Sequence, residues 1–292
     1  MIRSAAFGFF FYLLLCQVPT SIALPTVEHE SPRHPPDEVA HGTADIQECL
    51  LCLDYGKLLL QDTAHVLSSP AYWDKKDWLT FSIATITVVG TAALLDDPIE
   101  EGMQRNRNST TDDMANIFEP FGAEYSLGVL GGFYLTGVAF ENQKAKSVAI
   151  DGFAASLIAS GIITPTLKLA VGRSRPDHNE GTYTFHPFGG KYSFPSFHTT
   201  QAFTVATVIS THYDSLWIKI TTYGVATLVC LARIDHNAHF TSDVVAGALI
   251  GTAVGNAVVH LNQQKRDHQQ MQKSFVPLIE DDLRGMEITF TF

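Results

Sequence analysis

Three short clusters of polar residues hold side chains that could bind and act on a phosphate group. The first cluster is Lys168 with Arg175 and Pro176 seven and eight residues later. Pro176 disfavours helical geometry at the residue before it, so Lys168 and Arg175 should offer an ammonium and a guanidinium from a helix end and its following loop. Arg173 and Lys191 would add positive potential without binding the ligand. A solvated basic loop is the alternative for this cluster taken alone.

The second cluster is Pro195-Ser196-Phe197-His198-Thr199, at the predicted start of a helix. Unpaired backbone N–H groups and the helix dipole make such a position an anion site. Ser196 could donate its hydroxyl and also cap the helix. His198, in the first turn, could protonate a leaving-group oxygen, although a lone histidine here is more often structural.

The third cluster is Arg233, His239 and Asp243, which opens the last predicted helix. His239 and Asp243 are four residues apart, so a helix that begins near Thr241 brings the carboxylate to one imidazole nitrogen and leaves the other free. That arrangement suits a nucleophilic histidine, with Arg233 holding the phosphate oxygens. Asp243 could instead be an acidic first-turn residue that favours the helix dipole.

The three clusters together resemble the signature of the type 2 phosphatidic acid phosphatase and vanadium haloperoxidase superfamily, K-x6-RP, PSGH and SR-x5-H-x3-D. The resemblance runs from Lys168 to Asp243. It implies a phosphohistidine mechanism with no metal and no cofactor. It assigns His239 as nucleophile, Asp243 as its partner, His198 as acid and then base, and the phosphate ligands as Lys168, Arg175, Ser196, the Phe197 backbone and Arg233.

Two positions depart from that signature. Phe197 stands where the family has glycine, and Ala232 stands where it has serine. The backbone N–H of Phe197 survives, but its side chain must point away from the phosphate, toward the acyl or leaving-group region. Asp235, His236 and Asn237 could suggest a metal site together with Asp96 and Asp97, but the resemblance implies none and no other residues at ligand spacing support one.

Six apolar stretches must position these clusters. All are rich in small and branched residues and read as helices, and they run roughly over residues 78–95, 125–140, 148–167, 197–213, 216–232 and 244–261. The prediction is an all-α six-helix bundle. Several stretches are shorter than the roughly 20 residues that span a bilayer, so both a membrane-embedded and a soluble bundle fit.

Composition limits the classes of partner. The 292 residues are 46% hydrophobic and 17% charged, and the formal net charge is -11. No long Lys/Arg run is present, so nucleic acid is excluded as a partner. The four cysteines suggest no disulfide framework. Cys49 and Cys52 form a C-x-x-C pair, which we assign to an amphipathic helix from about Asp45 to Leu60 rather than to a redox or metal site.

The two ends of the chain differ from the bundle. Residues 1–23 have the charge, apolar run and small-residue pattern of a secretory signal peptide, with an uncleaved anchor as the alternative. Residues 24–43 have the composition of a Pro-rich linker. The helical phosphatase domain is predicted at 44–264, followed by a tail at 265–292. Residues 286–292 alternate as a β-strand does.

The basic residues and the predicted signal peptide indicate opposite membrane topologies. Lys75, Lys76, Lys144, Lys146, Lys265 and Arg266 would share one side of a six-helix bundle. The positive-inside rule makes that side cytoplasmic and puts the catalytic loops outside. A cleaved signal peptide reverses this assignment.

The sequence therefore predicts a membrane-bound phosphatase of the cell envelope with an extracytoplasmic site. Its substrates would be lipid phosphates such as phosphatidate, phosphatidylglycerol phosphate, isoprenyl diphosphate or the phosphates of lipid A. One alternative is a soluble, secreted acid phosphatase of the same superfamily that acts on small phosphomonoesters. Another is a catalytically silent phosphate- or lipid-binding membrane protein, should Phe197 block the pocket.

Overall fold

The computed structural model describes residues 53–274, 279–280 and 283–284, and most of these are helical. The α-helices are α1 (Leu53–Ser68), α2 (Lys75–Leu94), α3 (Asp96–Asn106), α4 (Ser109–Phe118), α5 (Glu124–Ala139), α6 (Gln143–Ser156), α7 (Thr164–Val171), α8 (Phe197–His212), α9 (Leu216–Asp235) and α10 (Thr241–Ser274). A π-helical segment, Leu157–Ile163, joins α6 to α7, and 3-10 turns occupy Ser69–Tyr72, Glu119–Gly122 and Pro176–His178. Two strands of two residues each, β1 (Ile279–Glu280) and β2 (Leu283–Arg284), pair antiparallel.

The all-α prediction is confirmed. The six predicted helices correspond to α2, α5, the continuous α6–α7, α8, α9 and α10. The predicted helix near residues 45–60 overlaps α1, which runs on to Ser68. The last helix continues through the predicted domain boundary at residue 264 as far as Ser274. The strand predicted at 286–292 lies outside the described residues, and the described part does not support it.

Two short helices, α3 and α4, were not predicted, because both are rich in acidic and polar residues and contain no long apolar run. Asn108 starts α4 by accepting hydrogen bonds from the backbone N–H groups of Thr110 (2.9 Å) and Thr111 (3.3 Å). The Thr111 hydroxyl in turn accepts a hydrogen bond from the Asn108 N–H (3.1 Å), which completes a capping box. These helices matter because they supply polar residues at the end of the bundle that holds the three predicted clusters.

Helix α8 lies at the centre of the bundle and packs against α6, α9 and α10. Residues 199–210 are all buried. Its closest contact is with α10, where a Cβ atom added to Gly251 would lie 2.4 Å from the Thr200 carbonyl oxygen. Gly247 and Gly255 repeat this close approach one helical turn to either side. The small residues thus let two backbones touch and hold the start of α8 beside the start of α10.

The outer surface of the bundle is strongly apolar. Along α2, large side chains such as Trp78, Leu79, Phe81 and Ile86 are exposed, and Thr91 is the buried residue of that helix. Among the described residues, four helical stretches are long and apolar enough to cross a membrane: Lys75–Leu94, Gln143–Val171, Leu216–Asp235 and Thr241–Met271. An apolar surface of this extent fits lipid rather than water.

A second group of buried charges lies far from the three clusters, toward the other end of α10. Asp151 of α6 is fully buried and accepts hydrogen bonds from Arg266 Nη2 (2.9 Å) and Asn262 Nδ2 (3.0 Å). His212 Nε2 lies 2.9 Å from the same carboxylate. At 1.5 Å per residue, Arg266 is about 37 Å along the helix from Thr241. The bundle therefore has two polar ends separated by an apolar body.

Candidate active site

The three predicted clusters meet at one end of the bundle, around a cavity of about 460 Å³. The ends of α7, α8, α9 and α10 converge there, as the sequence predicts. The residues that line it are Pro165, Lys168, Leu169, Arg175, Tyr192, Phe197, His198, Arg233 and His239. Six of the eight predicted site residues are in this group. The other two, Ser196 and Asp243, are fully buried beside it.

His239 and Asp243 lie as the spacing predicts, with α10 beginning at Thr241. His239 is only 2% exposed, and its Nδ1 lies 3.7 Å from Asp243 Oδ2, slightly beyond hydrogen-bond length. The same carboxylate oxygen accepts hydrogen bonds from Ser193 Oγ (2.6 Å) and from the Phe240 N–H (2.9 Å). With Nδ1 turned toward Asp243, Nε2 is the imidazole nitrogen left to act in the cavity.

Behind Asp243 lies a buried ion-pair network that sequence reasoning missed. Arg173 is 2% exposed, and its Nη1 donates to Asp243 Oδ1 (2.7 Å) while its Nη2 donates to Asp96 Oδ2 (2.8 Å). Asp96 in turn accepts from the N–H (2.7 Å) and the hydroxyl (2.6 Å) of Ser242. Arg173 therefore holds two fully buried carboxylates rather than adding general positive potential.

The backbone before Arg173 explains how its guanidinium reaches these carboxylates. Gly172 ends α7 with a φ of 59°, in the left-handed region that favours glycine, and its missing Cβ would lie 1.9 Å from the His186 carbonyl oxygen. The chain can turn tightly there and lead Arg173 into the interior. In the sequence, the glycine that directly follows the apolar helix could have predicted this turn.

Three cations face the cavity. The Lys168 ammonium donates to the Tyr192 carbonyl oxygen (2.6 Å), which fixes its position. Arg233 pairs with Glu119, a residue that the sequence analysis did not single out. Glu119 also lies 2.6 Å from His236 Nδ1 and 3.7 Å from His198 Nε2. One carboxylate of the Glu119–Gly122 turn thus contacts both an arginine and a histidine of the predicted site.

The start of α8 differs in part from its prediction. The Ser196 hydroxyl makes no capping hydrogen bond and instead accepts one from Thr199 Oγ1 (3.2 Å). The Ser196 N–H donates to the Asp243 carbonyl oxygen (3.0 Å), which ties α8 to α10. Ser196 is fully buried, so its side chain serves this packing. Phe197 lines the cavity, with its ring edge-on to His198 at a centroid distance of 5.8 Å.

Burial keeps both site histidines neutral. Desolvation lowers the pKa of His239 to about 3, against the opposing effect of Asp243, and nearby Lys168 and Arg233 lower it further. Desolvation and the Arg233 charge lower the pKa of His198 to about 4, against the opposing effect of Glu119. At neutral pH both imidazoles of the ligand-free site are therefore unprotonated.

The aspartates that could have suggested a metal site do not lie together. Asp96 is taken by Arg173 and Ser242, and Asp97 accepts a hydrogen bond from the Thr182 hydroxyl. Asp235 and His236 lie instead beside Asp112 of α4. Asp96 and Asp97 therefore do not join Asp235 and His236 in one group.

The bundle has an apolar outer surface, and its cavity is lined by two histidines and three cations. These features define a membrane protein with a site suited to an anionic group such as phosphate. Residues 152–267 match the model of the PAP2 superfamily, which identifies this part of the chain as a PAP2 superfamily domain. The resemblance carried by the three motifs is confirmed.

Curated relatives agree with this family. The chain is 31% identical over 120 residues to a lipid A 1-phosphatase of Rhizobium etli, covering 37% of this chain and 50% of that protein. It is 31% identical over 137 residues to lipid phosphate phosphatase 1 of Arabidopsis thaliana, covering 36% of this chain and 42% of that protein. The chain spans about half the length of the curated relatives it matches.

Among solved structures, the crystal structure of Aquifex aeolicus LpxE matches with a TM-score of 0.46 and 26% sequence identity, over 57% of this chain and 95% of that chain.

Proposed function

We propose that this protein is a PAP2-type phosphatase that removes phosphate from lipid phosphates through a covalent phosphohistidine on His239. One observation carries the proposal. A buried, neutral imidazole has Asp243 on its Nδ1 side, and its other side lines a cavity shared with Lys168, Arg175 and Arg233. Three cations suit the oxygens of a phosphate group, and the imidazole is oriented to attack phosphorus.

In the first step, His239 Nε2 attacks phosphorus and the bond from phosphorus to the substrate alcohol breaks. The positive charge that develops on the imidazolium is stabilised by Asp243, which Arg173 and Ser193 hold in place. His198 gives its proton to the departing oxygen. A bound phosphate dianion offsets the Arg233 and Lys168 charges that lower the pKa of His198, so substrate binding favours the protonated, acidic form.

In the second step, His198 takes a proton from a water molecule, which attacks the phosphohistidine. The bond between phosphorus and nitrogen breaks, and inorganic phosphate and neutral His239 result. Lys168, Arg175 and Arg233 stabilise the charge on the equatorial oxygens in both displacements. Arg233 must exchange part of its contact with Glu119 for the phosphate.

Lipid phosphates are favoured as substrates by the surroundings of the cavity. Pro165, Leu169 and Phe197 add apolar walls to the cationic floor, so the cavity can hold an acyl or isoprenyl chain next to the phosphate. The apolar outer helices bring the site to a membrane surface. The curated relatives, a lipid A 1-phosphatase and a lipid phosphate phosphatase, also support a lipid substrate.

The amino-terminal predictions are part of the same proposal. We propose that residues 1–23 direct the chain to the cell envelope and that 24–43 link this segment to a helical phosphatase domain beginning near residue 44. Their composition supports this assignment. These residues lie outside the described part of the chain.

Phosphate release tests the proposal. Purified protein is assayed on phosphatidate and on a soluble aryl phosphate, both with EDTA, as wild type, His239→Ala and the control His268→Ala, which alters an exposed histidine of distal α10. We expect turnover in EDTA, unchanged in the control and lowered at least about a thousandfold in His239→Ala. A higher rate on phosphatidate supports the lipid substrate, and a higher rate on the aryl phosphate supports the soluble-type acid phosphatase.

Two results would overturn the mechanism. Activity that persists in His239→Ala would exclude His239 as nucleophile. Vanadate binding without turnover on either substrate would favour the silent phosphate-binding protein.

A further inference from the structure

Next to the catalytic cavity, three potential metal ligands converge. Asp112 of α4, Asp235 at the end of α9 and His236 directly after it each offer a ligand atom, and these atoms lie within 4.8 Å of one another. None of the three lines the catalytic cavity. Helices α4 and α9 pack against each other, so the bundle itself holds the group together.

One carboxylate oxygen of Asp235 is buried without a hydrogen-bond partner. Asp235 is only 4% exposed, and its Oδ2 is buried with no hydrogen bond. The nearby Gln104 amide donates to the backbone oxygens of Ile234 and Asp235 rather than to this carboxylate. Arg107 pairs with Oδ1 of Asp112 (2.6 Å). In the described part of the chain, no lysine or arginine forms an ion pair with Asp235, and a buried carboxylate without a cation is costly.

A carboxylate fixes which ring nitrogen of His236 is free to bind a metal. Its Nδ1 lies 2.6 Å from Glu119 Oε2. An ionised carboxylate only accepts hydrogen bonds, so in the neutral ring Nδ1 carries the proton and Nε2 keeps its lone pair. Histidines that bind metals commonly donate their other ring N–H to a carboxylate in this way.

We propose that Asp112, Asp235 and His236 form a binding site for a divalent cation of the Zn²⁺ type. Two carboxylate oxygens and one imidazole nitrogen are a donor set that zinc accepts, with solvent in the fourth position. Zinc–ligand bonds of about 2.0–2.2 Å require each side chain to move inward by roughly 1 Å or less. The cation supplies the positive charge that the buried Asp235 carboxylate lacks.

The site is connected to the catalytic cavity through Glu119. The carboxylate that would orient His236 also pairs with Arg233 and lies 3.7 Å from His198. A bound cation would fix His236 and therefore Glu119. This connection rests on the proposed function, and it makes the cation a positioning element: it should alter the KM for phosphate esters without being required for turnover.

Zinc binding tests the site directly. The full chain is prepared in detergent with Cys49 and Cys52 replaced by serine, stripped with EDTA, and titrated with Zn²⁺ by calorimetry. The variants are Asp235→Asn and His236→Gln, and the control is Asp113→Asn, which alters an exposed carboxylate next to Asp112 on the same helix. We expect one Zn²⁺ per chain in the parent and the control, and at least about tenfold weaker binding in both site variants.

Thermal unfolding separates loss of the site from loss of the fold. Zn²⁺ should raise the melting temperature of the parent and of Asp113→Asn, and leave that of Asp235→Asn unchanged. Without metal, Asp235→Asn should be at least as stable as the parent, because it removes the unpaired charge. The proposal is overturned if the parent takes up no stoichiometric Zn²⁺, or if both site variants bind it as tightly as the control.

The outcomes are independent of the phosphatase assay. Zinc binding in a chain without phosphatase activity would contradict the proposed function alone. Phosphatase activity in a chain that binds no zinc would contradict the cation site alone.

Discussion

At the residue scale, the site depends on how Asp243 is held. Three donors, Ser193 Oγ, the Phe240 N–H and Arg173 Nη1, bind this carboxylate at 2.6–2.9 Å. Its orientation toward His239 is therefore set by groups that do not line the cavity. Such supporting contacts place a catalytic side chain within the narrow limits that a displacement at phosphorus requires.

Replacing Arg173 tests this support. Arg173→Ala leaves Asp96 and Asp243 buried and without their shared cation, so we expect a loss of about 3–5 kcal/mol in the free energy of unfolding. We also expect a fall in kcat, because Asp243 can turn away from His239. The control is Arg105→Ala, whose exposed side chain pairs with Glu101 on the same helix. Equal melting temperatures and equal kcat for the two variants would contradict the role of Arg173.

The pKa of His239 gives a second prediction at this scale. Burial lowers this pKa to about 3, so the imidazole stays neutral as the pH falls through the ordinary histidine value of about 6.5 and is protonated only toward pH 3. Ring-nitrogen NMR of labelled protein, assigned with His239→Gln, should show no His239 titration between pH 8 and pH 5. The urea-unfolded chain should titrate near pH 6.5. A His239 midpoint near 6.5 in the folded protein would contradict its buried, neutral state.

The sequence predicts the residues that line the cavity better than those behind it. Lys168, Arg175, His198, Arg233 and His239 all face one cavity, as motif spacing indicates. Arg173, Asp96 and Glu119 could not be assigned because their partners lie 70 to 114 residues away, and such pairing depends on the assembled bundle.

At the scale of elements, the contact between α8 and α10 positions the two histidines of the cavity. His198 stands in the first turn of α8, and His239 lies two residues before α10 begins. Gly247, Gly251 and Gly255 let these helices pack with their backbones in contact. Small residues at intervals of four are a known means of close helix packing in membranes, and this stripe was present in the sequence.

Replacing one glycine tests the helix contact. Gly251→Ala places a Cβ atom 2.4 Å from the Thr200 carbonyl oxygen, so the helices must separate. We expect a loss of about 1–3 kcal/mol of stability, together with lower activity. Gly224→Ala on α9 has open space around the added atom and should stabilise the protein by about 0.5–1 kcal/mol through helix propensity. Melting temperatures that do not differ between the two variants would exclude a tight α8–α10 contact.

Apolar runs predict the six long helices because each must bury or cover apolar surface along most of its length. They do not predict α3 and α4, whose acidic and polar residues gain their structure from capping and from the neighbouring helices. These two helices nevertheless supply Gln104 and Asp112 to the end of the bundle that contains the cavity.

At the scale of the whole molecule, the cavity lies at one end of the bundle and a second group of basic residues, which includes Lys75, Lys265 and Arg266, lies at the other. Helix α2 begins at Lys75 and ends next to Asp96 of the site network, while α10 begins at the site and carries Lys265 about 36 Å along its length. That separation is close to the thickness of a bilayer with its interfaces. The positive-inside rule predicts that the basic end is cytoplasmic and that the cavity opens on the opposite side, whereas a cleaved signal peptide predicts the reverse.

Cysteine labelling tests this orientation. In a chain with Cys16, Cys49 and Cys52 replaced by serine, Asp113→Cys marks the cavity end and Gln143→Cys marks the basic end, both at exposed positions. Cys230 is buried and should not react. A membrane-impermeant maleimide should label Asp113→Cys in intact cells and Gln143→Cys only after the cells are opened. The reverse pattern would place the cavity in the cytoplasm.

The central claim is a covalent phosphate on His239, and trapping that intermediate tests it most directly. Protein is mixed with an aryl phosphate labelled at phosphorus, quenched in alkali, which preserves phosphohistidine, and digested for mass spectrometry. An aryl alcohol leaves without needing an acid, so His198→Ala should form the intermediate and hydrolyse it slowly. We predict label on the peptide that contains His239, more of it in His198→Ala and none in His239→Ala. Label that persists in His239→Ala, or turnover with no covalent label in wild type or His198→Ala, would contradict the mechanism.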